Sequence, residues 1–283
     1  MNSYGDLCTE FYDLDKPTAP ELALEWYGAA LAGALEESPG RVLEPMCGSG
    51  RFLVPLLKRG LLVDGVDPSE PMLKACRARV ADAYFAVESP WGTWDPANAE
   101  DRAVAAAPLP RIRLWQQTLE QLDLREPEPD VPPDVVVARP EFEPYGAAFI
   151  PASSFCLIID REKALEGLRR LRSHLAPGAP VLIEFELPHP SVNWPGETVR
   201  TVTDGGRQIR LESRVAYDSR TQLETYTNVY ELKQSGRVVQ TENEILRLRC
   251  YAPDEIRSLL ESAGFEDITI EHPEFGWVAC ARS

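Results

Sequence analysis

The stretch Val42-Leu43-Glu44-Pro45-Met46-Cys47-Gly48-Ser49-Gly50-Arg51-Phe52 constrains this chain more than any other. It reads as a buried strand that runs into a turn with two glycines and then into an apolar helix near residues 50–59. Glycines in such a turn let backbone N–H groups and a ligand approach closely, and a helix start favours a negative group. The next apolar run, Leu61 to Asp67, predicts a second strand that ends on a carboxylate seventeen residues beyond Gly50. An acid at that place can accept from both hydroxyls of a ribose. Strand, Gly-x-Gly turn, helix, strand and acid together specify an adenosine-containing cofactor, which Gly48-x-Gly50 alone would not do.

Strand-like and helix-like patterns alternate through the first two thirds of the 283 residues, predicting a doubly wound, mostly parallel α/β sheet with helices on both faces. The first helix is expected near 20–36, around Leu24, Tyr27 and Leu31, and Ser69 is placed as the cap of a helix carrying Met72, Leu73 and Cys76. Arg111 to Gln116 reads as a third strand. Either Asp134–Val137 or Tyr145–Ile150 has the character of a fourth, and the second is favoured because a loop and helix, Pro151 to Leu175, follow it directly. Pro180 to Glu186 is a fifth, nearly continuous apolar strand of the buried parallel kind. Residues 86–110 and 125–144, rich in proline, read as surface excursions. From 188 to 250 the period changes to two, with Ile209, Leu211, Ser213, Val215 and Tyr217 on one face and Ser235-Gly236 as a hairpin turn. A helix after Pro253 should end at Gly264, with strands at 265–271 and 277–282 closing the chain.

These segments resemble those of the class I S-adenosylmethionine-dependent methyltransferases of the bacterial small-molecule type, whose first motif commonly reads acid-x-Gly-x-Gly-x-Gly. Glu44 stands at the family's acid, Gly48 and Gly50 at its second and third glycines, Met46 at its first, and Asp67 at the ribose-binding acid. The likeness continues in Gln116–Leu124, where Gln117 and Thr118 replace a more usual acid and small residue, in Phe149–Phe155, and in the Pro177-Gly178-Ala179 turn. What the resemblance implies is a seven-stranded Rossmann-like core made of 1–187 and 251–283. An antiparallel β subdomain, 188–250, is inserted over the acceptor site. S-Adenosylmethionine would be held by Glu44, Met46, Cys47, Gly48, Gly50, Asp67, Pro68 and Met72, with Gln117, Thr118 and Leu119 toward the adenine and Pro151, Ala152 and Ser153 beyond the fourth strand. The activity implied is methyl transfer to a small-molecule acceptor, leaving S-adenosylhomocysteine, with no metal required.

A nicotinamide-dependent reductase would use the same strand, turn and helix. Its G-x-G-x-x-G/A fingerprint, however, meets Leu53 where a small residue belongs, and Glu44 would oppose a pyrophosphate while attracting an amino group. Iron–sulfur radical chemistry lacks its Cys-x3-Cys-x2-Cys cluster. A non-catalytic cofactor-binding relative is a third reading. With 29 Lys plus Arg against 45 Asp plus Glu, a net charge of −16 repels phosphate backbones, and Ile150-Pro151-Ala152-Ser153 is not the signature of nucleic-acid amino-methylating enzymes. No apolar run approaches the ~20 residues of a membrane span. Six scattered cysteines read as reduced thiols, and the acidic amino terminus lacks a signal-peptide pattern, so a cytoplasmic location is expected.

A sulfonium methyl is already activated, so the protein's task is to align acceptor, methyl carbon and sulfur, with a base as an option. His189, at the carboxyl end of the fifth strand, and Tyr12, in a segment before the first helix that could fold over the cofactor, are the catalytic candidates; a rigid linker and simple packing are the alternatives. His174 is expected to be a solvated helix-end cation and His272 to be structural. Phe155, Trp194, Tyr226 and Tyr230 are candidates for the acceptor wall, and suggest an aromatic or otherwise bulky metabolite. Tyr226, Asn228 and Tyr230 share a strand face that could equally be the inner side of a small sheet. Of Glu184 and Glu186, one could reach the acceptor or lie at the surface. Cys47 has no adjoining base and is read as a small buried hydrophobe.

Overall fold

A computed structural model describes residues 5–85, 112–124, 142–189 and 196–283. Trp194, Arg111 and the alternative fourth strand Asp134–Val137 lie outside the described residues. The described residues form two sheets. The larger is built from β1 (Val42–Pro45), β2 (Val63–Val66), β3 (Leu114–Trp115), β4 (Ala147–Ile150), β5 (Pro180–Phe185), β10 (Glu266–Glu271) and β11 (Trp277–Arg282). Its order is β10-β11-β5-β4-β1-β2-β3, with β11 antiparallel to both neighbours and the others parallel. The chain thus reverses direction across the sheet between β1 and β4, the point at which such sheets open a crevice beyond their strand ends.

Helices α2 (Glu21–Glu37), α3 (Leu53–Lys58) and α4 (Glu70–Phe85) cover one face, and α5 (Arg161–Ser173) and α6 (Pro253–Ser262) the other. β1, β2 and β4 are buried at every position, as strands covered on both faces must be. Asp64 is the polar exception inside β2, and its carboxylate accepts from Arg41, from the Tyr145 hydroxyl at 3.0 Å and from the Arg113 N–H at 2.9 Å. Ser69 caps α4 through the Met72 N–H. α6 ends as expected: Gly264, at φ +90°, donates to Glu261 while Phe265 donates to Leu260, the paired bonds of a Schellman ending. Among the described residues no helix is long and apolar enough to cross a membrane.

The smaller sheet, in order β6-β7-β8-β9, comprises β6 (Gly196–Asp204), β7 (Arg207–Asp218), β8 (Leu223–Gln234) and β9 (Arg237–Arg249). Ser235 and Gly236 have φ of 51° and 76°, the positive pair that lets a two-residue hairpin follow the strand twist. Ile209, Leu211, Ser213 and Tyr217 are buried on one face of β7, matching the period-two reading.

One element departs from the sequence expectation. Residues 6–15, read only as a segment ahead of the first helix, form α1 (Asp6–Asp15). Ten residues make a marginal helix in isolation, and here the Glu242 carboxylate of β9 receives the Leu7 and Cys8 N–H groups at 3.1 and 3.0 Å. Leu7, Cys8 and Phe11 then pack on Ile209, Leu211, Tyr230 and Leu232. That partner lies 235 residues away in sequence, beyond the reach of local pattern.

Candidate active site

The turn leaving β1 takes left-handed backbone three times, at Met46 (φ 60°), Gly48 (φ 53°) and Gly50 (φ 78°). Met46 therefore holds the conformation a glycine would take there, at a cost of about 1–3 kcal/mol. The two glycines do different work. A Cβ on Gly48 would meet only the Met72 Sδ at 3.8 Å, so its missing side chain leaves room above the turn. A Cβ on Gly50 would lie 2.7 Å from the Cys76 Sγ, so that glycine lets α4 pack against the turn. Gly50 is consequently beneath the cleft and outside its wall, in contrast to the expectation that it touches the cofactor.

Asp67 ends β2 beside this turn. Its Oδ2 accepts from the Gly48 N–H at 2.9 Å and its Oδ1 from the Ser69 N–H at 2.8 Å. Burial pushes its carboxyl up to about 6, opposed by those two backbone bonds. Glu44 is also buried, and desolvation holds its carboxyl well above the usual range. Its Oε2 has no hydrogen-bond partner. A buried carboxylate oxygen left without a donor is costly, and Glu44 lines a cavity from which a donor could reach it. Bonding with Cys76 and burial raise the Cys47 thiol, which agrees with a protonated packing residue.

That cavity, about 1090 Å³, runs from the turn across to the inner face of the smaller sheet. On the core side it is lined by Glu44, Met46, Cys47, Gly48, Asp67, Pro68, Met72, Thr118, Leu119, Pro151, Ala152 and Ser153. Ala152 and Ser153 sit at φ 55° and 53°, held by an Ala152 N–H bond to Glu184 (2.8 Å) and a Ser153 hydroxyl bond to Glu186 (2.9 Å). The carboxylates of Glu184 in β5 and of Glu186 just after it are thus engaged by this loop, and neither lines the cavity; burial pushes Glu184 up to about 7.

Besides Gly50, three of the expected site residues lie elsewhere, and one histidine has other surroundings than expected. The Gln117 amide is turned onto the Asp123 backbone, accepting at 2.8 Å and donating at 3.1 Å, where it closes the loop after β3 instead of facing a ligand. Phe155 is fully buried against Tyr251, with rings 5.7 Å apart. His189 is outside the cavity wall: its Nε2 meets the Glu224 carboxylate, and its ring stands edge-on to Tyr217 at 5.3 Å. His174 is 2% exposed and unsolvated. Its Nε2 accepts from the Leu124 N–H at 3.1 Å and its Nδ1 lies 2.8 Å from the Arg170 carbonyl, an arrangement that a neutral ring satisfies. His272 stacks on Trp277 at 4.2 Å.

The far wall carries Tyr226 and Tyr230 together with Ser213, Asn228 and Glu244. The Tyr226 hydroxyl donates to Glu224 at 2.9 Å and the Tyr230 hydroxyl to Glu244 at 3.2 Å. Sequence reasoning noted Asn228 on the shared strand face but missed Ser213 and Glu244 as wall residues, because the facing positions of β7 and β9 follow only from the strand register. Tyr12 reaches the cavity from α1. The same helix is tied to the cofactor turn, where Asp13 accepts from the Ser49 hydroxyl at 2.5 Å and pairs with Arg79 at 2.8 Å. On its other side Glu10 takes two bonds from Arg207, at 2.6 and 3.0 Å.

Neither a protein-family model nor a curated protein matches this sequence. Among solved structures, DesVI of Streptomyces venezuelae superposes with a TM-score of 0.65 at 17% identity, covering 96% of each chain. The sugar N-methyltransferase KedS8 from Streptoalloteichus sp. gives 0.63 at 16%, over 92% of this chain and 85% of that one. CalS10, an amino pentose methyltransferase from Micromonospora echinaspora involved in calicheamicin biosynthesis, gives 0.61 at 16%, over 92% and 89%. The larger sheet with its appended antiparallel sheet is therefore the α/β Rossmann-like fold of the class I methyltransferases.

Proposed function

We propose that this protein transfers a methyl group from S-adenosylmethionine to a small-molecule acceptor, with residues 188–250 covering the acceptor. The observation that carries the reading is the partnerless, buried Glu44 oxygen at the cavity wall beside a glycine turn, with Asp67 one strand over. An ammonium suits the first group, and the diol of a ribose suits the second, whose oxygens each retain a lone pair beyond the bond to Gly48 or Ser69. When bound, the cofactor supplies a sulfonium methyl that needs no further activation. The chain's own contribution is then binding and alignment: Glu44 holds the charged end, Asp67 the sugar, and Thr118 and Leu119 border the place for the base.

Alignment of this kind can account for ~7–11 kcal/mol of a barrier. α1 and the inner face of the smaller sheet wall off the reacting centre, which limits water there. Nitrogen is the acceptor atom best supported, since KedS8 is described as a sugar N-methyltransferase and CalS10 as an amino pentose methyltransferase. The net charge of −16 favours a small molecule over nucleic acid. Two measurements test the reading together: calorimetric binding of S-adenosylhomocysteine, and its release on incubation of the protein with S-adenosylmethionine and a panel of amines. Stabilisation by NADH without a response to S-adenosylhomocysteine would overturn it.

A further inference from the structure

Most of the cavity wall contributed by the smaller sheet is apolar, yet one rung across it is polar. Strand pairing sets Thr198 opposite Ser213, Ser213 opposite Asn228, and Asn228 opposite Glu244, so one line of polar residues crosses all four strands. All four line the cavity. On one side the next rung runs Arg200, Leu211, Tyr230 and Glu242, with Arg200 at the cavity but paired to Asp15, and on the other it returns to Val215, Tyr226 and Leu246.

Ser213, Asn228 and Glu244 are 6%, 6% and 7% exposed. The Glu244 carboxylate accepts from the Asn228 Nδ2 at 2.8 Å, the Tyr230 hydroxyl at 3.2 Å and, on its other oxygen, the Cys8 thiol at 3.5 Å. No lysine or arginine pairs with it among the described residues. Burying a carboxylate without a counter-charge is unfavourable. The Asn228 amide must keep its nitrogen toward Glu244, because the flipped amide would set two acceptors against each other. Its Oδ1 is then fixed away from Glu244, and that oxygen is buried without any partner. The rung therefore offers a negative charge with no direct counter-ion and a free acceptor side by side, with apolar Leu211, Val215 and Leu246 beside them and the nearby Arg200 engaged by Asp15. Few, well-placed polar groups in an apolar pocket are what orient a small ligand.

We infer that Asn228 and Glu244 recognise the acceptor, selecting molecules that present an ammonium and a hydroxyl on neighbouring carbons over apolar or aromatic amines. This rests on the reading of the cavity as a methyltransferase site. Tyr226 and Tyr230 do line that wall, but each directs its hydroxyl to a glutamate, so the polar rung and not the rings sets the preference.

The test uses the full chain saturated with S-adenosylhomocysteine and titrated with D-glucosamine, glucose and cyclohexylamine, followed by ligand-observed NMR. Glucosamine should bind at least about tenfold more tightly than either comparison compound. Glu244→Gln and Asn228→Leu should each weaken it by about tenfold, while the affinity for S-adenosylhomocysteine and the circular dichroism spectrum stay as in the parent. Asn228→Ala, which adds no bulk, serves if the leucine variant does not fold, and should weaken glucosamine binding to the same degree. Cyclohexylamine binding as well as glucosamine, no glucosamine binding at all, or variants that bind it as the parent does would each overturn the inference. If S-adenosylhomocysteine itself fails to bind, the cofactor reading falls, and the same glucosamine titration without it still judges the rung.

Discussion

Asp67 offers the sharpest quantitative test. Its carboxyl is pushed up to about 6 by burial, against an ordinary value of 3.8. Two consequences of opposite sign follow. For folding, a raised acid favours the protonated native state. The contribution is fully present below the ordinary value and is lost as pH rises through about 6, a span worth ~3 kcal/mol. For binding, a ribose diol donates to the ionised form, since the neutral acid would turn one oxygen into a competing donor. Affinity for S-adenosylhomocysteine should therefore fall as pH drops. For a group titrating near 6, the ionised fraction declines from about nine tenths at pH 7 to about one tenth at pH 5, which predicts about tenfold weaker binding. An unshifted aspartate would change affinity by only about a tenth over the same range. Calorimetric titrations at pH 5, 6 and 7 read this directly, and Asp67→Asn should bind weakly and lose the part of the slope that Asp67 supplies, leaving that of Glu44. A level profile in the parent protein would refute the argument from burial.

Three further outcomes are expected. Gly50→Ala should destabilise the fold by about 2–4 kcal/mol in denaturant titration, through positive φ and the 2.7 Å approach to Cys76, whereas Gly48→Ala, with nothing nearer than 3.8 Å, should lose about 1 kcal/mol of stability and mainly weaken S-adenosylhomocysteine binding. Glu44→Gln should raise the melting temperature of the ligand-free protein, because it removes a buried carboxylate, and should weaken calorimetric binding of S-adenosylhomocysteine by about tenfold to a hundredfold. His189→Ala should keep that affinity within about threefold of the parent and, once an acceptor is in hand, its turnover within a similar factor, since the ring lies outside the cavity wall.

The core and the cofactor turn were legible in the sequence because they answer to local rules. A glycine spacing, a strand ending on an acid and a switch from period 3.6 to period two are all written within short windows. Tyr145–Ile150 could be favoured over Asp134–Val137, without excluding it, because a loop and helix follow it directly. What escaped depended on contacts far along the chain. Residues 6–15 become helical through Glu242, and His174 is drawn inward to accept from the Leu124 N–H. Gln117 and Phe155 occupy segments that match the family pattern, but their side chains turn toward the backbone and the core, which segment placement does not determine. The Asn228–Glu244 pair becomes visible only once β8 and β9 are set in register.

α1 borders both halves of the cavity, gripping the cofactor turn through Asp13 and the antiparallel sheet through Glu10 and Phe11. The two compartments thus share a single ten-residue partition. Whatever unseats that partition uncovers both at once.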